Sequence, residues 1–362
     1  MKPNQALTLG VLDQSPVRSG ETATHGLKET VKLAQSAEKL GYARYWVAEH
    51  HNSHSFAGTS PEVLIGQIAA KTSTITVGSG GVMLPHYSAL KVAEQFRVLE
   101  SFYPGRLELG IGRAPGSDQL TAAALSYPRP QMDVNLFPQQ VLDLLSFLGG
   151  KIAEDHVFAH IRAQAGPDPE TTPTVWLLGS SDYSARLAAL FGLPFAFADF
   201  FGTTGRHGPM VAELYRKEFN PSDYLKEPRI NVTVQALCAP TEDEAMFLAS
   251  SRNLSKAGSI LDKNRTRIPM GEATEYPITP HGLLPPEEAT EFPLTEESLA
   301  YIEGLKSGYL DGDPNQVKRK IINAAEAYGA QNVSIVTTCY SYEYRRRSYE
   351  LIAKAFSLEP RA

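Results

Sequence analysis

The chain has 362 residues, of which 42% are hydrophobic and 20% charged. That is enough apolar material for a large core and too much for a disordered chain. Its 34 basic and 40 acidic residues leave a formal charge of −6, which argues against a general affinity for the phosphate backbone of nucleic acid. No apolar run reaches the roughly 18 residues of a membrane span, so no membrane association is expected. The first ten residues hold one lysine and no apolar block, so no secretory signal is expected there. The two cysteines, Cys238 and Cys339, form no CxxC pair, and a reduced, cytoplasmic setting is the expectation.

Strand and helix signals alternate along the chain. Residues 7–13 read as a strand. Leu27, Val31, Ala34, Ala37 and Leu40 then recur at helical spacing over 24–40, with Gly41 as the stop. A short strand is expected from Tyr45 to Ala48, and Pro61 opens a helix to about residue 71. A third strand over 74–78 runs into Gly78, Gly80 and Gly81, followed by a helix over 88–102 and a fourth strand over 106–111. Residues 112–130 form a connection rich in Pro, Gly and Ser. The helix over 133–149 carries Val134, Phe137, Val141, Leu144 and Leu145 as its apolar stripe, and 150–173 is weakly patterned. Strands over 174–178, 195–198 and 229–237 alternate with helices over 182–191, 207–219 and 241–251. A Pro-rich insertion is expected over 252–298. A helix over 314–328, a strand over 332–337 and a helix over 342–356 close the chain.

Eight strands alternating with helices predict a parallel α/β fold, and eight is the number that closes a (β/α)8 TIM barrel. A doubly wound open sheet is the structural alternative. The length exceeds the roughly 250 residues typical of such a barrel. Insertions at 112–130, 150–173 and 252–298 would account for the surplus within one domain spanning 1–362.

In such a barrel the active site lies at the C-terminal ends of the strands. The residues there are Asp13, Gln14 and Ser15; Glu49, His50 and His51; Gly80, Gly81, Val82 and Met83; Gly112 and Arg113; Gly179, Ser180 and Ser181; and Asp199, Phe200 and Phe201. Strand ends also collect polar residues and glycines as plain turn formers. Glu49-His50-His51 invites a metal reading, but neighbours at a strand end point to opposite sides and no second ligand cluster has matching spacing, so no metal is expected. One histidine can instead act as acid, base or hydrogen-bond donor, or simply be satisfied within its loop. GSGG at 78–81 lacks the GxxxxGK[ST] pattern, and Pro115 interrupts a dinucleotide fingerprint begun by Gly110 and Gly112. These glycines can let a flat ligand lie against bare backbone. Residues 179–188 make a better anion site. Gly179 ends a strand, and Ser180, Ser181 or Asp182 can start a helix whose free N–H groups and dipole favour a phosphate; an ordinary helix cap is the alternative. Arg113 is the candidate counter-charge.

Four segments, WVAEHHN (46–52), VGSGGVMLPHYSALKVAEQFRVLE (77–100), GRLELGIGRAPGSD (105–118) and LGSSDYSARLAALFGLPFAFADFF (178–201), resemble the bacterial luciferase-like, flavin-dependent monooxygenases. The likeness keeps order and spacing over most of the chain and ends with DGDPNQVKRKI before the last strand. It implies a barrel that holds reduced FMN at the strand C-termini. It also implies reaction with O2 to a flavin C4a-hydroperoxide, oxygenation of a small organic substrate, and a separate NAD(P)H flavin reductase as supplier. By position, His50 matches the active-site histidine. Gly80-Gly81 matches a pair that commonly carries a non-proline cis peptide under the flavin ring, and Met83 is assigned to the cofactor with them. Arg113, Gly179, Ser180 and Ser181 match the phosphate grip. Glu49, His51 and Phe200 are assigned to the substrate. Gly112 stands where the light-emitting subunit has a reactive cysteine, and the Gly-Gly pair leaves more room beside the flavin; both argue against aldehyde luminescence.

The insertion at 252–298, with Pro269, Pro277, Pro280, Pro285, Pro286 and Pro293, matches a region that often forms a mobile lid, which would shield the flavin from water. The family commonly dimerises through the helices after the second and third strands. Here these carry Val63, Leu64 and Ile68, and Leu90, Val92, Phe96 and Leu99, so a homodimer is expected unless these faces simply pack on the barrel. Two other readings use the same scaffold: a deazaflavin-dependent hydride-transfer enzyme, and a non-catalytic flavin-binding partner subunit.

Overall fold

The computed structural model describes residues 7–114, 116–128, 134–163, 171–202, 207–265 and 282–360. Its strands are β1 (Thr8–Asp13), β2 (Arg44–Val47), β3 (Thr76–Met83), β4 (Leu107–Gly112), β5 (Thr174–Gly179), β6 (Phe195–Ala198), β7 (Ile230–Gln235) and β8 (Asn332–Val336). They pair in chain order, and the first pairs with both the second and the eighth, which closes the barrel. All pairs are parallel. An open sheet is thereby excluded. The helices are α1 (Ala23–Lys39), α2 (Pro61–Ala69), α3 (Ala89–Phe102), α4 (Gln119–Ser126), α5 (Phe137–Gly149), α6 (Asp182–Leu190), α7 (His207–Glu218), α8 (Glu242–Arg265), α9 (Pro286–Glu291), α10 (Glu296–Lys306), α11 (Pro314–Tyr328) and α12 (Tyr342–Phe356).

The local chemistry explains these elements. Every residue of β2, β4, β7 and β8 is buried, as expected for parallel strands covered by helices outside and filled inside. The stripe Thr30, Leu33, Ala34 and Ala37 of α1 is buried. Asp313 and Gln316 form a reciprocal capping box on α11, Pro314 occupies its first turn, and Gly329 ends it in the left-handed region.

The barrel interior has two layers. In the lower one, Arg44 pairs with Glu108 at 3.1 Å. The Trp46 and Trp176 indoles donate to the same carboxylate at 2.7 and 3.1 Å. These donors, and the guanidinium lying 5.1 and 4.9 Å from the two indole rings, offset the desolvation of a buried ion pair. Nearer the strand C-termini, Leu12, Trp46, Ala48, Trp176, Ala196 and Val336 form an apolar floor.

Three expectations change. The 112–130 connection contains α4. β3 runs on through its glycines to Met83 instead of stopping at Gly78. The 252–298 insertion is not loop throughout: α8 continues unbroken to Arg265, and α9 and α10 occupy 286–306. The physical reason is plain in the residues, since 252–265 contains no proline and nothing there stops a helix. Pro269, Pro277 and Pro280 lie outside the described residues. On α2 and α3, Leu64, Ile68, Val92 and Phe96 are buried against the barrel, so outward apolar surface there is left to Val63, Val98 and Phe102.

Candidate active site at the strand C-termini

Not every strand-end residue is offered to a ligand. Asp13 is buried and accepts hydrogen bonds from Ser15 N (2.8 Å), Tyr45 Oη (2.5 Å) and Arg345 Nη2 (2.6 Å). Arg345, from α12, also donates to the Thr337 carbonyl. Asp13 is thus a brace between the first strand and the last helix.

Glu49 is 1% exposed and satisfied at both oxygens. Its Oε1 accepts from Tyr87 Oη at 2.7 Å and lies 2.8 Å from His51 Nε2, while Oε2 accepts from Met83 N at 3.0 Å. The carboxylate therefore ties the end of β2 to the end of β3 and orients His51. Burial beside this charge pushes the Tyr87 phenol far up, so it remains a donor.

His50 stands between them. Its backbone N–H donates to the Gly58 carbonyl at 2.7 Å, and its ring lies 4.9 Å from that of Phe56. Burial first, and then the Lys256 charge, push the imidazole down to about 4. At neutral pH it is uncharged, with one donor and one acceptor nitrogen. Its Nδ1 is buried and makes no hydrogen bond among the described residues.

The Gly80-Gly81 peptide is cis, and the β3–β4 register shifts between Gly80 and Val82. The glycines do not open extra space. A Cβ on Gly80 would stand 2.6 Å from Leu12 Cδ1 of the floor, and one on Gly81 would stand 2.6 Å from the Gly110 carbonyl oxygen. Close approach of Leu12 to Gly80 and of the Gly110 carbonyl to Gly81 is a local reason for glycine at both.

Across the mouth, Arg113 lies 4.3 Å from the Tyr183 ring in the first turn of α6. Ser181, at the N-cap, makes no side-chain capping bond. A Cβ on Gly179 would collide with the Ser184 side chain, so β5 and the first turn of α6 touch closely here. Gly179, Ser180 and Ser181 are half-exposed. A helix N-terminus with no side-chain cap, an arginine beside it and a close glycine turn suit a phosphate. The Asp182 carboxylate in the same turn pairs with His207 at 3.1 Å.

Phe200 packs on the apolar floor and lies 4.4 Å, centre to centre, from Phe201. Lys256 of α8 adds a cation 5.9 Å from the Phe201 ring. Lys256 is absent from the sequence candidates because its segment reads as insertion; the missing prolines of 252–265 are the signal that places it on a helix. Among the described residues, no group of three or more His, Cys, Asp and Glu side chains is placed to hold a metal ion, and no helix is long and apolar enough to cross a membrane. Two grooves of about 600 and 550 Å³ lie in the helical shell and include none of His50, Arg113 or Ser181.

The luciferase-like monooxygenase family model matches residues 7–331. The chain is 41% identical over 351 residues to the uncharacterized protein YwcH of Bacillus subtilis, covering 97% of this chain and 99% of that protein. It is 34% identical over 360 residues to the N-acetyl-S-alkylcysteine monooxygenase of the same organism, covering 96% and 98%. Among solved structures, apo-MsnO8 matches with a TM-score of 0.82 and 34% identity, covering 98% of this chain and all of that one.

Proposed function

The chain belongs to the luciferase-like monooxygenase family, and from that premise we propose that it is an FMN-dependent monooxygenase acting on a small organic substrate. Reduced FMN, supplied by a separate NAD(P)H reductase, brings the two electrons that let one atom of O2 enter the substrate while the other leaves as water. The observation that carries this reading is the pairing of Arg113 with the uncapped start of α6, on the rim of an apolar barrel floor. A phosphate-bearing, flat aromatic cofactor needs both.

In this reading Arg113, Gly179, Ser180 and Ser181 would hold the phosphate, and the Gly80-Gly81 backbone and Met83 would contact the rest of the cofactor. His50, uncharged and sheltered by Phe56, offers an N–H or a lone pair at the reacting end without competing for a bulk proton. Glu49 acts through its partners and positions His51 and the Met83 backbone. Phe200 supplies apolar wall for the substrate, and shelter from water protects the activated oxygen.

The experiment supplies reduced FMN through a flavin reductase under heavy-isotope dioxygen, with a panel of sulfides that includes N-acetyl-S-methylcysteine. That panel is chosen because one relative is named for such compounds. One heavy oxygen atom in a product is the expected result. Turnover with a reduced deazaflavin in the absence of oxygen, and none with FMN, would support hydride transfer instead.

A further inference from the structure

The polar residues of β7, Asn231, Thr233 and Gln235, alternate with Ile230, Val232 and Val234, so they share one face of the strand. That face is the barrel interior. Arg44 of β2, which is no neighbour of β7 in the sheet, reaches the Asn231 side-chain oxygen at 3.5 Å, and only the interior allows that contact. Asn231 also accepts from Ser334 Oγ at 3.1 Å and donates to Thr233 Oγ1 at 3.3 Å. Gln235, the third of the row, stands at the C-terminal end in register with Val336 of the apolar floor. Its backbone carbonyl accepts from Leu310 N at 2.9 Å, which fastens the strand end. Its side chain differs from the other two. Gln235 is 1% exposed, yet its Nε2 makes no hydrogen bond among the described residues. A buried donor without a partner carries a desolvation cost that an acceptor placed against it removes.

We infer that Gln235 donates to a neutral, carbonyl-type oxygen of the substrate and so selects molecules that join such an oxygen to an apolar body. The inference rests on the cofactor seat proposed above. Those cofactor residues belong to β3, β4, β5 and their ends, and in a closed barrel of eight strands β7 stands opposite β3. Phe200, the proposed substrate wall, follows β6, which pairs with β7, and packs on the same floor. The acceptor is neutral because one amide donor cannot offset the desolvation of a carboxylate on an apolar floor. The Arg44 charge in the layer below is already matched by Glu108.

Two readouts test this. In the ligand-free protein, Gln235→Met keeps the side-chain length and removes the unpartnered donor, so the thermal unfolding midpoint should rise by about 2 °C or more. A midpoint that falls in both Gln235→Met and Gln235→Leu would show a structural partner for the amide and overturn the inference. Calorimetry on the full-length protein, with and without FMN, then compares acetophenone with α-methylstyrene, which has the same outline without the oxygen. The ketone-to-hydrocarbon affinity ratio should drop about tenfold from wild type to Gln235→Met. An unchanged ratio, or no binding of the ketone to the wild type, would overturn the inference. So would a tenfold loss of FMN affinity in Gln235→Met with the ratio unchanged, which would assign the amide to the cofactor. A wild type that binds no FMN but keeps the Gln235-dependent ratio would sink the flavin reading and leave this inference standing.

Discussion

At the scale of single residues, burial decides which polar groups are structural and which are poised. Asp13 and Arg345 are both buried and bonded to each other, so removing one strands the other. Asp13→Asn should cost about 3–5 kcal/mol of stability in urea unfolding, the range for breaking a buried pair. His50 is a different case, because its proton affinity is depressed in the folded state. Its folded value of about 4 lies below its ordinary 6.5, so between these values the unfolded chain binds more protons. The stability contributed by His50 should therefore rise as pH climbs through that window and level off above it. Comparing the pH dependence of wild type with His50→Asn isolates this contribution. A wild-type slope identical to the variant's would mean that the imidazole is not held neutral. Of the sequence candidates, His50, Arg113 and Ser181 follow the C-terminal ends of β2, β4 and β5. Glu49, expected at the substrate, has three short partners of its own in His51, Tyr87 and the Met83 backbone. No pattern in the sequence could reveal those partners, since Tyr87 and Met83 meet Glu49 only through the β2–β3 pairing.

Among the elements, the most instructive contrast is between α11 and α8. The boundaries of α11 are readable to the residue because Asp313, Pro314, Gln316 and Gly329 supply start and stop signals within one turn of each end. The far end of α8 has no such signal, and the prolines downstream of 265 colour the whole stretch as loop. The same limit hides α4, α9 and α10, which are short and lie in Pro- or Gly-rich surroundings where local signals are weak. The glycines of β3 are legible as special, but their contacts with Leu12 and Gly110 are not, because only the folded barrel brings those residues near. At the β5–α6 turn, Gly179→Ala should destabilise by about 1–3 kcal/mol, because the new methyl meets the Ser184 side chain. It should also weaken flavin phosphate binding. Unchanged thermal stability and unchanged FMN affinity in this variant would contradict the close turn as the phosphate seat.

The molecule as a whole gathers residues from five strand ends, spread from Glu49 to Phe201, at one mouth because eight parallel strands all point the same way. That much of the architecture follows from counting alternating elements, and the match over residues 7–331 agrees with it. On the outer shell, Val63, Val98 and Phe102 are 63%, 41% and 73% exposed. We propose that they meet a second copy across α2 and α3. Val63→Asp with Phe102→Glu is expected to yield monomers in sedimentation analysis where wild type gives dimers; a monomeric wild type would refute that pairing. The central claim concerns the cofactor, and anaerobic titration of reduced FMN into wild type and Arg113→Ala tests it most directly. One site per chain of about micromolar affinity or better is expected, weakened about tenfold or more by the substitution. Absence of binding to the wild type, or equal affinity in the two proteins, would contradict it.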